Sequence, residues 1–196
     1  MARFDSLFRP TVVGAGVLLS AGNVMSLGRP DRFSDAAKTA LFELSSVLLL
    51  VGGFALLFAL VGMHVRQGDR AGGFGLFAAI VAAVGTVLFC GLSWSQTFLD
   101  PAAAKVVPAF LDDQPPAVLI AGLYLSLALF AVGWVLYAIA TLRARVFARV
   151  PAVILLVGAI LALAPMPVGQ TIVGLGLIWL GLGTSGERVG QVVPPV

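Results

Sequence analysis

Long apolar stretches, interrupted by short polar or proline-rich segments, give this chain its pattern. Six can be cut out: Thr11 to Gly28, Thr39 to Val65, Gly73 to Phe98, Ala117 to Thr141, Val150 to Ala164 and Val168 to Thr184. A backbone crossing about 30 Å of hydrocarbon must bond to itself, which a helix of roughly 20 apolar residues achieves. The pattern predicts an all-α fold: a polytopic transmembrane helix bundle of six spans, one domain over residues 1–184, with a short tail at 185–196. The last two stretches are short, and PMPVGQ between them, Pro165 to Gln170, holds two prolines and a glycine but no charge. A tight hairpin at the membrane surface satisfies this best, and a re-entrant pair that never fully crosses is the alternative.

Polar residues inside these stretches follow two patterns. Each helical residue advances about 100°, so Gly75, Ala79, Ala82, Thr86, Cys90, Ser93 and Thr97 share one narrow stripe. All are small, as membrane helices require where backbones come together without a hydrophobic drive. Gly16, Ser20 and Asn23 make a similar stripe, as do Gly122 and Ser126, and the last stretch is notched by Gly169, Gly174, Gly176, Gly181 and Gly183. Asn23, Glu43 and Gln96 fit packing less well. All three fall toward the outer ends of their stretches, whereas the inner halves hold almost nothing polar. A carboxylate within a span normally faces the bundle or water. The expected site is an outward-facing pocket with Glu43 as its ionisable group, Asn23, Ser46, Ser93 and Gln96 around it, and Trp94 as an apolar wall. The competing reading has Glu43 at headgroup level, one turn inside Lys38 and simply wet.

Composition sharpens the environment. The chain is 60% hydrophobic and 11% charged, with a mean hydropathy of +1.06, whereas charged residues make about a quarter of a globular domain. The net charge of +3 is spread singly through the loops, with no basic helix or aromatic-interleaved patch for nucleic acid. Such charges set orientation instead. Arg3, Arg9, Arg66, Arg70, Arg143, Arg145, Arg149 and Arg188 fall on one side, and Arg29, Arg32, Lys38 and Lys105 on the other, eight against four. This bias places both termini in the cytoplasm. The first stretch also has the form of a signal peptide, with Ser20-Ala21-Gly22 near a cleavage point. In the loop LDPAAAKVVPAFLDDQPP, Asp100 as N-cap and Pro101 at the first position predict a short interfacial helix. Its three aspartates against one lysine make an acidic mouth, read as a solvated loop.

Catalytic and cofactor patterns are sparse. One cysteine, Cys90, excludes an intramolecular disulfide and a CxxC pair. One histidine, His64, excludes a two-His metal or bis-His haem site within one chain. There is no HExxH, no Walker loop and no paired intramembrane aspartate, and GLSW is not GxSxG. The expectation is therefore no enzyme, no cofactor and no metal. His64 reads as an interfacial residue, and Trp134, Tyr137 and Trp179 as interface anchors or lipid-facing packing. GLSW and GLIW, each toward the end of a third helix, hint at inverted repeats, but an ion-coupled carrier would carry polar elements near the midplane.

The segments LVGMHVRQGDRAGGFGLFAAIVAAVGTVLFCGLSWSQTF and ALFAVGWVLYAIATLRARVFARVPAVILLVGAILALAP, with a glycine-rich last span, resemble a family of bacterial six-pass integral membrane proteins. The likeness covers residues 39–184. It rests on RQGDRAG, the Trp near the outer end of the third span and RARVFARVPA. Members often carry an acidic residue just after that Trp, where this chain has Ser95 and Gln96. The resemblance implies a bacterial inner-membrane location and brings no activity with it. The expected role is a structural or interaction protein, a homo-oligomer or a subunit of a membrane complex, packed through small-residue faces. The alternative is a binder or carrier of a small amphiphile or lipid through the pocket around Glu43.

Overall fold

The computed structural model describes residues 2–112, 116–164 and 167–183, with side chains from Leu7 onward. The tail 185–196, Asp113 and the Pro165-Met166 part of the expected hairpin lie outside the described residues. The described chain is all-α, with nine helices and no strand. They are α1 (Ala2–Ser26), α2 (Phe33–Ala36), α3 (Ala40–Gln67), α4 (Gly72–Trp94), α5 (Asp100–Val106), α6 (Pro108–Asp112), α7 (Ala117–Ala144), α8 (Arg149–Leu161) and α9 (Pro167–Gly183). The six longer ones match the six apolar stretches. Leu7–Ser26, the continuous helical run Ala40–Val106 and Ala117–Ala144 are long and apolar enough to cross a membrane, and α8 and α9 are shorter apolar helices.

Local signals explain the breaks. Thr39 caps α3 by accepting a hydrogen bond from the Phe42 amide at 3.2 Å, which satisfies one of the donors a helix start leaves over. The run from Ala40 folds back on itself at a 3₁₀ turn, Gly68–Ala71. Gly68 and Gly72 flank that turn at φ +50° and +58°, which L side chains rarely adopt. Beyond α4 the chain enters one π-helical turn, Ser95–Leu99, and continues into α5. Pro101 has no N–H for the Thr97 carbonyl and its ring crowds that carbonyl, so the turn before it widens. Asp100 is consequently an αR residue within this continuous run. It accepts a 3.0 Å bond from the Ser95 hydroxyl and is not the expected N-cap.

The six longer helices close a ring in the order α1, α3, α4, α7, α8, α9, with α9 returning to α1. Neighbours run antiparallel. The α4 stripe from Gly75 to Thr97 is buried along its whole length, and its seam with α7 is backbone on backbone. A Cβ on Gly133 would sit 2.6 Å from the Ala82 Cα, and one on Gly85 would sit 2.6 Å from the Phe130 Cα. Gly16 and Gly174 bring α1 and α9 together in the same way. The Gly122–Ser126 stripe behaves differently: Gly122 is exposed and has open space around it.

Large side chains fill the ring. Phe130, Trp134, Tyr137, Leu56, Leu155 and Leu177 are fully buried, which corrects the expectation that Trp134 and Tyr137 face lipid or the interface. Their polar ends find partners, as a buried indole or phenol must. Trp134 Nε1 donates to Thr86 Oγ1 at 3.0 Å, and Tyr137 Oη accepts from Gln67 Nε2 at 3.3 Å. Outside, the pattern is inverted: Phe54, Phe58, Val61 and Val65 on α3 and Phe77, Ile80, Val84 and Val87 on α4 form exposed lines at helical spacing. A soluble surface rarely carries apolar patches on that scale.

Three outcomes follow. Gly133→Val should lower the melting temperature in detergent, with overpacking costing about 1–3 kcal/mol. Gly14→Ala, with nothing within 4 Å of the added carbon, should leave it nearly unchanged. Cys90 is buried with its Sγ 2.7 Å from where a Gly53 Cβ would stand, so a maleimide should label it only after denaturation.

Candidate functional site

At one end the ring is open, leaving a cleft of about 210 Å³. Its rim is polar, with Asn23, Ser26, Arg29, Ser93, Gln96 and Gln170, and its floor is apolar, with Leu49, Phe89, Leu92, Leu123 and Leu127. The opening follows from the α4–α7 seam. That seam is tight at Gly85 and Gly133, but about three turns before Gly133 on the same face of α7, Gly122 has nothing within 4 Å of an added Cβ. Residues 117–125 of α7 are exposed on every face. The two helices fork there, and α8, ending at Leu161, leaves the adjoining wall low.

The rim side chains are held by their own helices. Asn23, only 3% exposed, donates through Nδ2 to the Leu19 carbonyl at 2.8 Å. Ser26 donates back to the Asn23 carbonyl at 2.7 Å. Gln96 sits within the π-helical turn, which presents it to the cleft beside Ser93. Arg29 follows α1 and lies 4.3 Å over the Phe42 ring, a favourable cation–π arrangement. Its Nη2 donates to Ser45 Oγ at 2.6 Å and to Ser46 Oγ at 3.2 Å. Ser45 turns its own proton to the Leu41 carbonyl at 2.7 Å, leaving oxygen lone pairs for the guanidinium. Burial pulls the Arg29 pKa below its ordinary value, yet a guanidinium keeps its charge at neutral pH. Among the described residues the ion pair within reach of bonding distance is Lys38–Asp35 at 3.7 Å, and no carboxylate pairs with Arg29.

The structure brings Asn23, Ser93 and Gln96 together on the cleft wall. Ser46 is buried behind Arg29 and holds it. Glu43 is exposed and outside the lining. Phe42, Ser45, Ser46 and Leu49 occupy the inward arc of α3, and Glu43 falls beside that arc. Trp94 is 53% exposed and packs on Phe98, with centroids 5.7 Å apart, away from the cleft. The charged group on the wall is thus a cation, Arg29, which sequence reasoning counted only toward orientation. The signal was present: the spacing Gly16, Ser20, Asn23 continues to Ser26 and then Arg29. Among the described residues no group of three or more His, Cys, Asp or Glu is arranged to hold a metal.

Compared with protein-family models, with curated proteins and with solved structures, the chain matches none. What the cleft can do follows from its own groups.

A small cap lies next to this end. Ala36, Ala37, Phe42 and Ala104 form a second apolar cluster, with Phe33 and Leu111 packed on it. Asp112 clips α6 to α2, accepting from the Ser34 hydroxyl and from the Ser34 amide at 2.9 Å. The hydroxyl first and then the amide hold the Asp112 carboxyl below its ordinary pKa. A depressed carboxylate stabilises the docked cap above its unfolded pKa, about 4, and that stabilisation is lost as pH falls through the folded value. Asp112→Asn should therefore lower the hydrogen-exchange protection of residues 33–37, measured against the intrinsic rate at the same pH, at neutral pH, and acidification below about pH 4 should lower it in the unmodified protein.

Proposed function

We propose that this chain is a six-pass protein of a bacterial inner membrane, of the family it resembles, with both termini cytoplasmic, and that its end cleft faces outward and holds a small amphiphile or lipid. The role is binding or carrying, with no catalytic step. The observation that supports it most is the polarity of the cleft: a polar rim over an apolar floor, in a bundle whose outer surface is apolar. Small-molecule sites combine an apolar lining with a few convergent polar groups in this manner. Lipid-facing helices explain the exposed phenylalanine and valine lines on α3 and α4. The helices α8 and α9, with 13 and 17 residues, reach about 20 and 26 Å at 1.5 Å per residue, so in this reading they cross where the bilayer is locally thin.

A scaffold or subunit role has one observation in its favour. The Gly122–Ser126 stripe of α7 is left outside the bundle's seams, whereas the stripes of α1, α4 and α9 are largely used within the chain.

Native mass spectrometry of protein released from a mild detergent tests both. The expected result is a retained amphiphile adduct whose occupancy falls by about tenfold, worth about 1.4 kcal/mol, when Leu127→Trp fills the cleft without changing the melting temperature. An adduct that survives Leu127→Trp, or none at all, would overturn the cleft-binding reading, and a stable dimer would favour the subunit role.

A further inference from the structure

Among the described residues Arg29 is the one charged side chain lining the cleft, and no described carboxylate pairs with it. Ser45 and Ser46 orient it through neutral hydroxyls, which fix its position but leave its charge uncompensated. A partly desolvated cation gains most from an anion brought alongside it. The other rim groups suit the same partner. Gln96 and Gln170 line the cleft, and their amides form no hydrogen bond with described residues, so both have N–H donors to offer. Asn23, whose Nδ2 is committed to the Leu19 carbonyl, presents only an acceptor oxygen and takes no part in holding the anion. Among the described residues the lining contains no acid.

Size and shape decide the rest of the ligand. The cleft's 210 Å³ is below the roughly 300–1,000 Å³ of pockets that enclose a whole small molecule. It admits a head group and the first carbons of a chain. The remainder must leave through the gap beside it, the fork between α4 and α7, where Leu92, Leu123 and Leu127 continue the apolar floor and Gly122 leaves open space.

Resting on the amphiphile reading above, we infer that the ligand is a single-chain anionic amphiphile, with its carboxylate or phosphate head on Arg29 and its chain passing out between α4 and α7. The head is recognised by charge and by the Gln96 and Gln170 amides, and the chain by the leucines of the fork.

The test uses the full chain in phosphatidylcholine nanodiscs with doxyl-stearic acid and its methyl ester as spin-labelled probes. The acid should be immobilised with an affinity about tenfold or more above the ester's, the scale of a desolvated charge contact. Arg29→Gln should bring the acid down to the ester's level, Arg29→Lys should keep part of the preference, and Leu127→Trp should release both probes. Retained ester binding in Arg29→Gln shows that the cleft is still folded. Lysophosphatidic acid should displace the acid, and millimolar inorganic phosphate should not. Equal binding of acid and ester, or a preference that survives Arg29→Gln, would overturn the anionic head while leaving cleft binding intact. Displacement by inorganic phosphate would mean that a free anion is the ligand and the chain is irrelevant. If neither probe is immobilised, the amphiphile reading itself fails.

Discussion

Backbone meets backbone where Gly133 lies against Ala82 and Gly85 against Leu129, and the rest of the bundle depends on that contact. Helices surrounded by apolar solvent gain nothing from hiding leucines, so close van der Waals approach through small residues has to hold them. The contact brings α4 and α7 together, and with the α1–α9 seam it closes the ring around Phe130, Trp134 and Tyr137. It is also local. Once the small residues on α4 no longer face small residues on α7, the two helices part, and the cleft is the space between and beside them.

The site therefore needs no dedicated loop. Its floor is the upper surface of the packed core, with Phe89 tilted against Phe130, their ring centroids 4.9 Å apart. Its rim is made by helix ends, where a polar side chain costs less than at mid-depth. Asn23 and Ser26 bond back to their own helix. Arg29 reaches across to α3, so that the loop after α1, the start of α3 and the cap all converge on Phe42, which meets Arg29 on one side and Phe33 edge-on at 5.5 Å.

Much of the helical layout was legible because apolar length and charged breaks are one-dimensional signals. The α4 stripe is another, since a run of small residues at helical spacing identifies a seam without naming its partner. Arg29 was harder to read. A basic residue just after an apolar stretch has an ordinary explanation as a topology determinant, and what makes it part of a site is Ser45, 16 residues away. Glu43 drew attention because carboxylates are rare in such stretches, but rarity says nothing about the direction a side chain faces. Trp134 and Tyr137 sit about two to three turns before the end of α7 and so resembled anchors. They are buried because Thr86 and Gln67 on other helices give the polar tips partners, a pairing that no single stretch reveals.

The short length of α8 has a consequence beyond the cleft wall. Thirteen residues span about 20 Å against a hydrocarbon core of about 30 Å, while α3, opposite α8 in the ring, and α7, beside it, have 28 each. If all six helices cross, a bilayer around such a ring would be pinched beside α8 and full-thickness opposite it, a mismatch that costs fractions of a kcal/mol per Å. Lipid headgroups would sink deepest beside α8. The annulus of lipid would then be tilted toward the side where the ring is lowest, bringing the polar layer of the membrane down to the level of the cleft.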